Sequence, residues 1–156
     1  MVTGSWDKTI KLWDLRAQSE QASFNLPNKA FTMGIHTNTL VVGTAGRHVL
    51  ILDLRNGITQ KEERESVLKF QTRSIRCFPD GEGYALSSTE GRVAMEYFDL
   101  SQDTQQLKYA FKCHRTSKEQ PGQGKVDVVY PVNVIEFHPT FIFHSIFSFP
   151  SLTCFF

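Results

Sequence analysis

Short runs of alternating apolar and polar residues, separated by turn residues, cover most of this chain. Such runs predict β-strands, because side chains alternate between the two faces of a strand. A polar stretch at residues 116–127 predicts a solvent-exposed loop, and no segment has a clear helical period. The sequence therefore predicts an all-β fold. The expected strands are residues 9–13, 23–26, 31–35, 40–44, 49–52, 67–70, 74–78, 84–88, 93–98, 109–112 and 132–137.

The turn and strand at residues 4–16 recur at residues 43–55, at an offset of 39 residues and without a gap. A less regular third unit ends near residue 99. A period of about 40 residues that ends in Trp-Asp is typical of a β-propeller blade. The pattern predicts a partial WD-repeat β-propeller of about three blades. The recurring structural positions are Gly4, Asp7, Trp13 and Asp14, then Gly43 and Asp53, then Gly91 and Asp99.

Composition and charge narrow the class of protein. The chain has 156 residues and a formal net charge of +1, which argues against a general polyanion binder and predicts no direct nucleic-acid contact. Three scattered cysteines do not make a disulfide framework, so reduced thiols are expected. The amino terminus lacks the basic and apolar regions of a signal peptide.

The last residues differ from the rest. Residues 140–156 contain no Asp, Glu, Lys or Arg and six of the 13 Phe. They are too few for a membrane-spanning helix of about 20 apolar residues, so no membrane contact is expected. A fourth repeat unit begins at residue 131 and stops halfway. We expect residues 1–139 to form a propeller open at both ends, with residues 140–156 as a Phe-rich tail outside it. Either a truncated product or a functional short isoform would have this sequence.

Several longer phrases are more specific than the repeat itself. Residues 70–73, 90–94 and 110–115 resemble the WD-repeat spindle-checkpoint proteins of the budding-uninhibited-by-benzimidazole type. The resemblance covers about residues 1–139. A sister family of WD-repeat messenger-RNA export factors, which bind nucleoporins, shares residues 111–115. Residues 43–47 are more similar to the checkpoint family.

The resemblance implies a non-enzymatic scaffold with about seven blades. Proteins of this type hold peptide segments of larger proteins on their top face. The implied partners are checkpoint kinases, through a binding segment, and a phosphorylated kinetochore scaffold. The implied locations are the nucleus, the kinetochore in mitosis and the cytoplasm.

The two tryptophans receive different predictions. Trp6 lies in a turn at the rim of a blade, and exposed tryptophan is enriched at interface hot spots. The alternative is that Trp6 packs against its own turn. The resemblance favours a peptide-binding role. Trp13 lies within a strand, and we expect the next blade to cover it.

Three arginines lie near predicted strand ends. The planar guanidinium suits carboxylates and phosphates. The resemblance implies peptide binding by Arg73 and Arg92 and phosphate binding by Arg115. The alternative is that they are surface arginines, each paired with an acid such as Glu90 or one of the glutamates at residues 62, 63 and 65.

No catalytic or cofactor motif is present in the sequence. Cys113 and His114, with His138 and His144, lack the paired spacing of a structural zinc site. We therefore expect no enzyme activity, no cofactor and no metal. One further alternative remains: residues 13–16 fit the Trp-Asp-x-Arg pattern of WD-repeat substrate receptors. In that case Arg16 would contact the adaptor of a cullin–RING ubiquitin ligase.

Overall fold

The computed structural model describes residues 1–17, 19–120, 124–137, 145–148 and 152–155, and their strands form antiparallel sheets. The first sheet contains β1 (Val2–Gly4), β2 (Thr9–Asp14) and β3 (Ser19–Asn25). The second contains β4 (Ala30–His36), β5 (Thr39–Thr44), β6 (His48–Asp53) and β7 (Thr59–Glu65). The third contains β8 (Thr72–Cys77), β9 (Gly83–Ser88), β10 (Arg92–Tyr97) and β11 (Tyr109–Lys112). Two hairpins pair β12 (Arg115–Gln120) with β13 (Gly124–Val129) and β14 (Ser145–Ser148) with β15 (Leu152–Phe155).

The three larger sheets stack as blades of a partial WD-repeat propeller, which confirms the predicted fold class. Alternation along the strands explains the stacking, because successive side chains point to opposite faces. In β5, Val42 packs towards the first blade with Ile10, whereas Val41 packs towards the third blade. The middle strands of the second blade are buried on both faces. This burial explains why their sequence is almost entirely apolar.

The repeated glycines Gly4 and Gly43 lie in close contact with the next blade. A Cβ atom at Gly4 would lie 2.7 Å from Sδ of Met33, and one at Gly43 would lie 2.8 Å from Cδ1 of Ile75. Both distances are shorter than real Cβ contacts. A side chain at Gly4 or Gly43 would therefore force the side chains of the following blade to shift.

The repeated aspartates close the turn that precedes the outermost strand of each blade. The carboxylates of Asp14, Asp53 and Asp99 each accept a hydrogen bond from the backbone N–H two residues later, at 2.9–3.0 Å. This contact is an Asx turn, in which the side chain replaces a backbone acceptor. The recurrence of aspartate thus has a local cause and needs no catalytic explanation.

One edge of the stack, here called the upper edge, combines two kinds of connection. They are the turns at residues 5–8, 45–47 and 89–91, and the connectors at 26–29, 66–71 and 113–131 that lead from one blade to the next. Backbone hydrogen bonds tie turns to connectors, for example Ser66 N to Arg47 O at 2.7 Å and Thr89 N to Gln71 O at 3.0 Å. The remaining loops lie at the opposite, lower edge.

Two strand predictions are wrong. Residues 67–70 form bends, and the outer strand of the second blade is β7, which precedes them. This strand is rich in charge because it is the outermost strand of its sheet and faces solvent. The second error concerns residues 132–137, which have no regular secondary structure and join no ladder in the described chain. Val132 and Ile135 are nevertheless fully buried against the third blade.

Other elements were missed as well, among them a hairpin and a short helix. The segment expected to be a loop at residues 116–127 forms most of the hairpin β12–β13. A five-residue helix, α1 (Gln102–Gln106), lies in the long loop after β10. Of the tail, only the backbone pairing of β14 and β15 belongs to the described residues. The boundary predicted at residue 139 falls outside the described residues. Within the described part, no helix is long and apolar enough to cross a membrane.

The prediction that the next blade covers Trp13 is also wrong. Trp13 lies three positions after Ile10, so it occupies the opposite face of β2, away from the second blade. Its Nε1 donates to Oγ1 of Thr3 at 2.8 Å, and Nζ of Lys11 lies 5.7 Å from the ring centroid. The residue at the matching repeat position, Leu52, is fully buried towards the first blade. This position therefore faces the preceding blade.

Candidate peptide-binding site

Trp6 lies at the upper edge and is one of the most exposed large side chains of the protein, with 69% of its surface accessible. Its ring does not pack into the core. The ammonium of Lys29 lies over the ring, with its Nζ 5.5 Å from the ring centroid. A cation over an aromatic face is attracted by the ring quadrupole. The pair joins the first turn to the first connector.

The turn that carries Trp6 is held by a dense set of local hydrogen bonds. Asp7 accepts from the backbone N–H of Thr9 at 2.9 Å and from its hydroxyl at 2.6 Å. The Thr9 hydroxyl, helped by the hydroxyl of Ser5, lowers the pKa of Asp7. The turn is fixed by its own residues, so the indole is presented from a rigid support.

Arg73 is the second residue of β8, the inner strand of the third blade, and is exposed at the upper edge. Its Nε and Nη2 both donate to Oδ1 of Asn133, at 3.2 and 2.9 Å. Within the described residues, no carboxylate lies within ion-pair distance of Arg73. A neutral amide therefore orients the guanidinium without cancelling its charge.

Arg92 and Arg115 both contact Glu90. Nε of Arg92 lies 3.5 Å from the Glu90 carboxylate, and Nη2 of Arg115 donates to the Glu90 carbonyl at 3.5 Å. Arg115 also approaches Asp127 at 3.6 Å. The Nε atoms of both arginines are buried without a hydrogen-bond partner in the described structure. These two arginines thus have acidic neighbours, in contrast to Arg73.

The predicted binding residues all lie at the upper edge, although they come from different blades. Trp6 belongs to a turn, Arg73 and Arg92 lie at the starts of β8 and β10, and Arg115 begins β12 after the third blade. Sequence patterns did not predict two exposed apolar residues on the connector between the second and third blades. These are Val67 and Phe70, each 55% exposed. They were missed because residues 67–70, which contain them, were predicted to form a strand.

The lower edge carries different features. Arg16 is exposed there, and its backbone N–H donates to Asp14. A cavity of ≈ 410 Å³ opens between the second and third blades. Its lining residues are Thr39, Ile51, Lys61, Glu62, Phe98 and Leu100. None of the predicted peptide-binding residues belongs to this cavity.

The described residues hold no cluster of three or more His, Cys, Asp or Glu side chains that could bind a metal ion. His138 and His144 lie outside the described residues. Burial raises the pKa of the Cys77 thiol to about 11, against a partial opposing effect of Arg76. Such a thiol is protonated near neutral pH and is a poor nucleophile.

Comparison with known proteins identifies the proteins that this chain resembles. No protein-family model matches the chain. The chain is 53% identical over 146 residues to the mitotic checkpoint protein BUB3.1 of Arabidopsis thaliana, a match that covers 90% of the chain and 42% of the relative. It is 51% identical over 142 residues to the mitotic checkpoint protein bub3 of Dictyostelium discoideum, covering 89% and 41%. It is 40% identical over 147 residues to the mRNA export factor GLE2 of Chaetomium thermophilum, covering 94% and 39%.

The stacked blades and these matches define the class: the chain is a WD-repeat protein with a partial β-propeller fold. Within that class, its sequence is similar to the mitotic checkpoint proteins of the Bub3 type, and the resemblance seen in the sequence is confirmed. The chain spans about two fifths of the length of the curated relatives it matches.

Proposed function

We propose that this chain is a non-enzymatic peptide-binding module of a spindle-checkpoint adaptor. Its upper edge would bind acidic or phosphorylated segments of larger proteins. The expected partners are checkpoint kinases and a phosphorylated kinetochore scaffold, and the expected locations are the nucleus, the kinetochore in mitosis and the cytoplasm. The observation that carries the proposal is the exposed Trp6, held by a rigid turn at the same edge as Arg73.

The chemistry of the edge supports a peptide ligand of negative charge. An exposed indole supplies a large apolar contact surface at low entropic cost. Arg73 keeps its charge available because its described partner is the neutral Asn133. Arginine can bind carboxylates and phosphates through two parallel hydrogen bonds. Together these groups suit a segment that has an apolar anchor and acidic or phosphorylated neighbours.

A binding titration tests the role of Trp6. The 156-residue chain and its Trp6→Ala variant are titrated with a labelled peptide of the checkpoint-kinase binding segment. We expect a loss of about 2 kcal/mol or more, roughly 30-fold in affinity. Leu15→Ala is the matched control, because Leu15 is 71% exposed but lies at the lower edge. Unchanged affinity of a folded Trp6→Ala variant would refute the proposal.

Phosphate recognition has its own test. If Arg73, Arg92 and Arg115 pair with a phosphorylated peptide, its affinity falls as salt rises from low to physiological strength. The unphosphorylated peptide is the control. A phosphopeptide whose affinity does not respond to salt would show that these arginines do not pair with its phosphate.

A second candidate is messenger-RNA export through nucleoporin binding, favoured by the 40% identity to the export factor GLE2. A competition experiment separates the two functions. The chain is offered a checkpoint-kinase peptide and a nucleoporin peptide at equal concentration. Preference for the nucleoporin peptide would favour export. Co-purification of a ubiquitin-ligase adaptor that is lost on Arg16→Ala would support the ligase alternative.

A further inference from the structure

The connector after the third blade differs from the other two. The connectors at residues 26–29 and 66–71 contain no strand, whereas residues 113–131 include the hairpin β12–β13. The hairpin base rests on the turn of the third blade. Arg115 donates to the Glu90 carbonyl, and the space beside Gly91 is occupied by Cγ1 of Val129, which would lie 2.9 Å from a Cβ there. The hairpin therefore extends from the upper edge.

The register of the hairpin shows which backbone groups point outwards. Tyr130 N donates to His114 O at 2.9 Å, one step before the pair formed by Arg115 and Val129. Hydrogen-bonded and non-hydrogen-bonded pairs alternate in an antiparallel ladder. The outward N–H and C=O groups therefore belong to the non-hydrogen-bonded pairs. On β12 they are those of Arg115, Ser117 and Glu119, and on β13 those of Lys125, Asp127 and Val129.

The hairpin has only two strands, and no other strand of the described chain joins either of its edges. An isolated two-stranded hairpin is marginally stable in water, and a third strand is the usual way to complete it. Exposed edges of this kind bind extended peptides by strand addition.

The edge of β13 is the better suited of the two. Its outward residue Val129 and the following Tyr130 are 37% and 49% exposed, which gives an apolar surface beside the free backbone groups. The outward positions of β12 are all polar. In addition, β13 leads directly to Asn133, the partner of Arg73. A strand along β13 would thus lie close to the predicted binding arginine.

Charge identifies the ligand chemistry. Basic side chains outnumber acidic ones along the hairpin and at the adjoining ends of β10 and β11. The acidic Asp127 is already engaged, because Ser117 donates to it at 2.6 Å and Arg115 lies 3.6 Å away. An acidic peptide segment would complement this surplus of positive charge. The basic residues are Arg92, Lys112, Arg115, Lys118 and Lys125, and the acidic ones are Glu90, Glu119 and Asp127.

We propose that the hairpin is a strand-addition site: an acidic, extended peptide segment pairs with the free edge of β13. This inference rests on the proposed peptide-binding function and specifies how the backbone of the peptide is held. The outward N–H groups of Lys125, Asp127 and Val129 donate to peptide carbonyls, and their carbonyls accept from peptide N–H groups.

Proline substitution tests the edge without breaking the hairpin. Asp127→Pro removes an outward N–H but no ladder hydrogen bond, because Asp127 belongs to a non-hydrogen-bonded pair. Asp127→Ala is the matched control for the side chain. Ser117→Pro is the control for the opposite edge. Each variant of the 156-residue chain is titrated with the checkpoint-kinase peptide. Retained amide protection at Thr116 and Val128 verifies that the hairpin persists.

We expect Asp127→Pro to bind at least tenfold more weakly than Asp127→Ala, and Ser117→Pro to bind as the parent chain does. In the parent chain, peptide binding should slow hydrogen exchange at the amides of Lys125, Asp127 and Val129. Tight binding without this protection, and with no effect of Asp127→Pro, would overturn strand addition while leaving the proposed function intact. Weakening by Ser117→Pro alone would overturn the assignment to β13. No binding to the parent chain would overturn both proposals.

Discussion

Nη2 of Arg64 in the second blade donates to the carbonyl oxygen of Phe98 at the end of the third, at 2.9 Å. The same guanidinium donates to the carbonyl of Tyr97 and, at 2.6 and 2.8 Å, to both carboxylate oxygens of Glu62. The side chain of Arg64 is only 11% exposed. Burial opposes its charge, but the hydrogen bond and charge of Glu62 and other negative groups raise its pKa. This contact joins the second blade to the third.

The first prediction concerns this contact. Arg64→Lys should lower the free energy of unfolding by about 2–3 kcal/mol, because an ammonium cannot satisfy four acceptors arranged for a planar fork. Urea unfolding measures the change. Arg55→Lys is the control, since Arg55 is exposed and lies 3.9 Å from Asp53. Equal stability of the parent chain and Arg64→Lys would show that this contact contributes little.

The second prediction separates the two tryptophans. Trp13→Phe should cost about 1 kcal/mol of stability, because it removes the hydrogen bond from Nε1 to Thr3. Trp6→Phe should leave stability unchanged, since the Trp6 ring lies outside the core. Thermal unfolding of both variants gives the comparison. A larger loss for Trp6→Phe than for Trp13→Phe would contradict the assignment.

The third prediction concerns the tight contact between the second and third blades. Gly43→Ala should destabilise the chain by about 1–3 kcal/mol, because the added methyl would lie 2.8 Å from Cδ1 of Ile75. Ile75→Val removes that atom. The double variant should therefore lose less stability than the two single variants lose together. Strict additivity in denaturant unfolding would indicate that another contact at Gly43 is responsible.

The fourth prediction concerns pH. The hydroxyl of Ser101 donates to Asp99 at 2.7 Å, and with the Ser101 backbone N–H and the Thr104 hydroxyl it lowers the pKa of Asp99 below 3.8. A lowered pKa means that the stabilisation is present above the unfolded pKa and is lost as pH falls through the folded pKa. Ser101→Ala should move the pKa of Asp99 back towards 3.8 in a carboxyl NMR titration. An unchanged pKa in the variant would show that Ser101 is not its main cause.

The repeat made the blades predictable, because strand alternation and the closing aspartates act over a few residues. The strand at residues 9–13 and the turn after Asp14 follow from such local rules. The rule fails for β7, because the strand was predicted at residues 67–70, after the segment that forms it. An outermost strand faces solvent on its free edge, so its composition carries little strand signal.

The candidate site was only partly predictable. Sequence placed Trp6 in a rim turn, and the exposure of the ring agrees with that placement. The pairing of Arg73 with Asn133 joins residues 60 positions apart, and no local pattern encodes it. The hairpin β12–β13 was missed for a related reason. Its polar, glycine-containing sequence resembles a loop, and only cross-strand pairing reveals its register.

The sequence by itself determined the fold class, the blade period, the turn aspartates and the likeness to checkpoint WD-repeat proteins. These properties are local or are repeated along the chain. Tertiary structure alone decided which face of β2 carries Trp13, which arginine keeps an uncancelled charge, and where a free strand edge lies. Those properties depend on which blade stands beside which. Blade packing depends on contacts between residues that are far apart in sequence, and no local sequence pattern encodes those contacts.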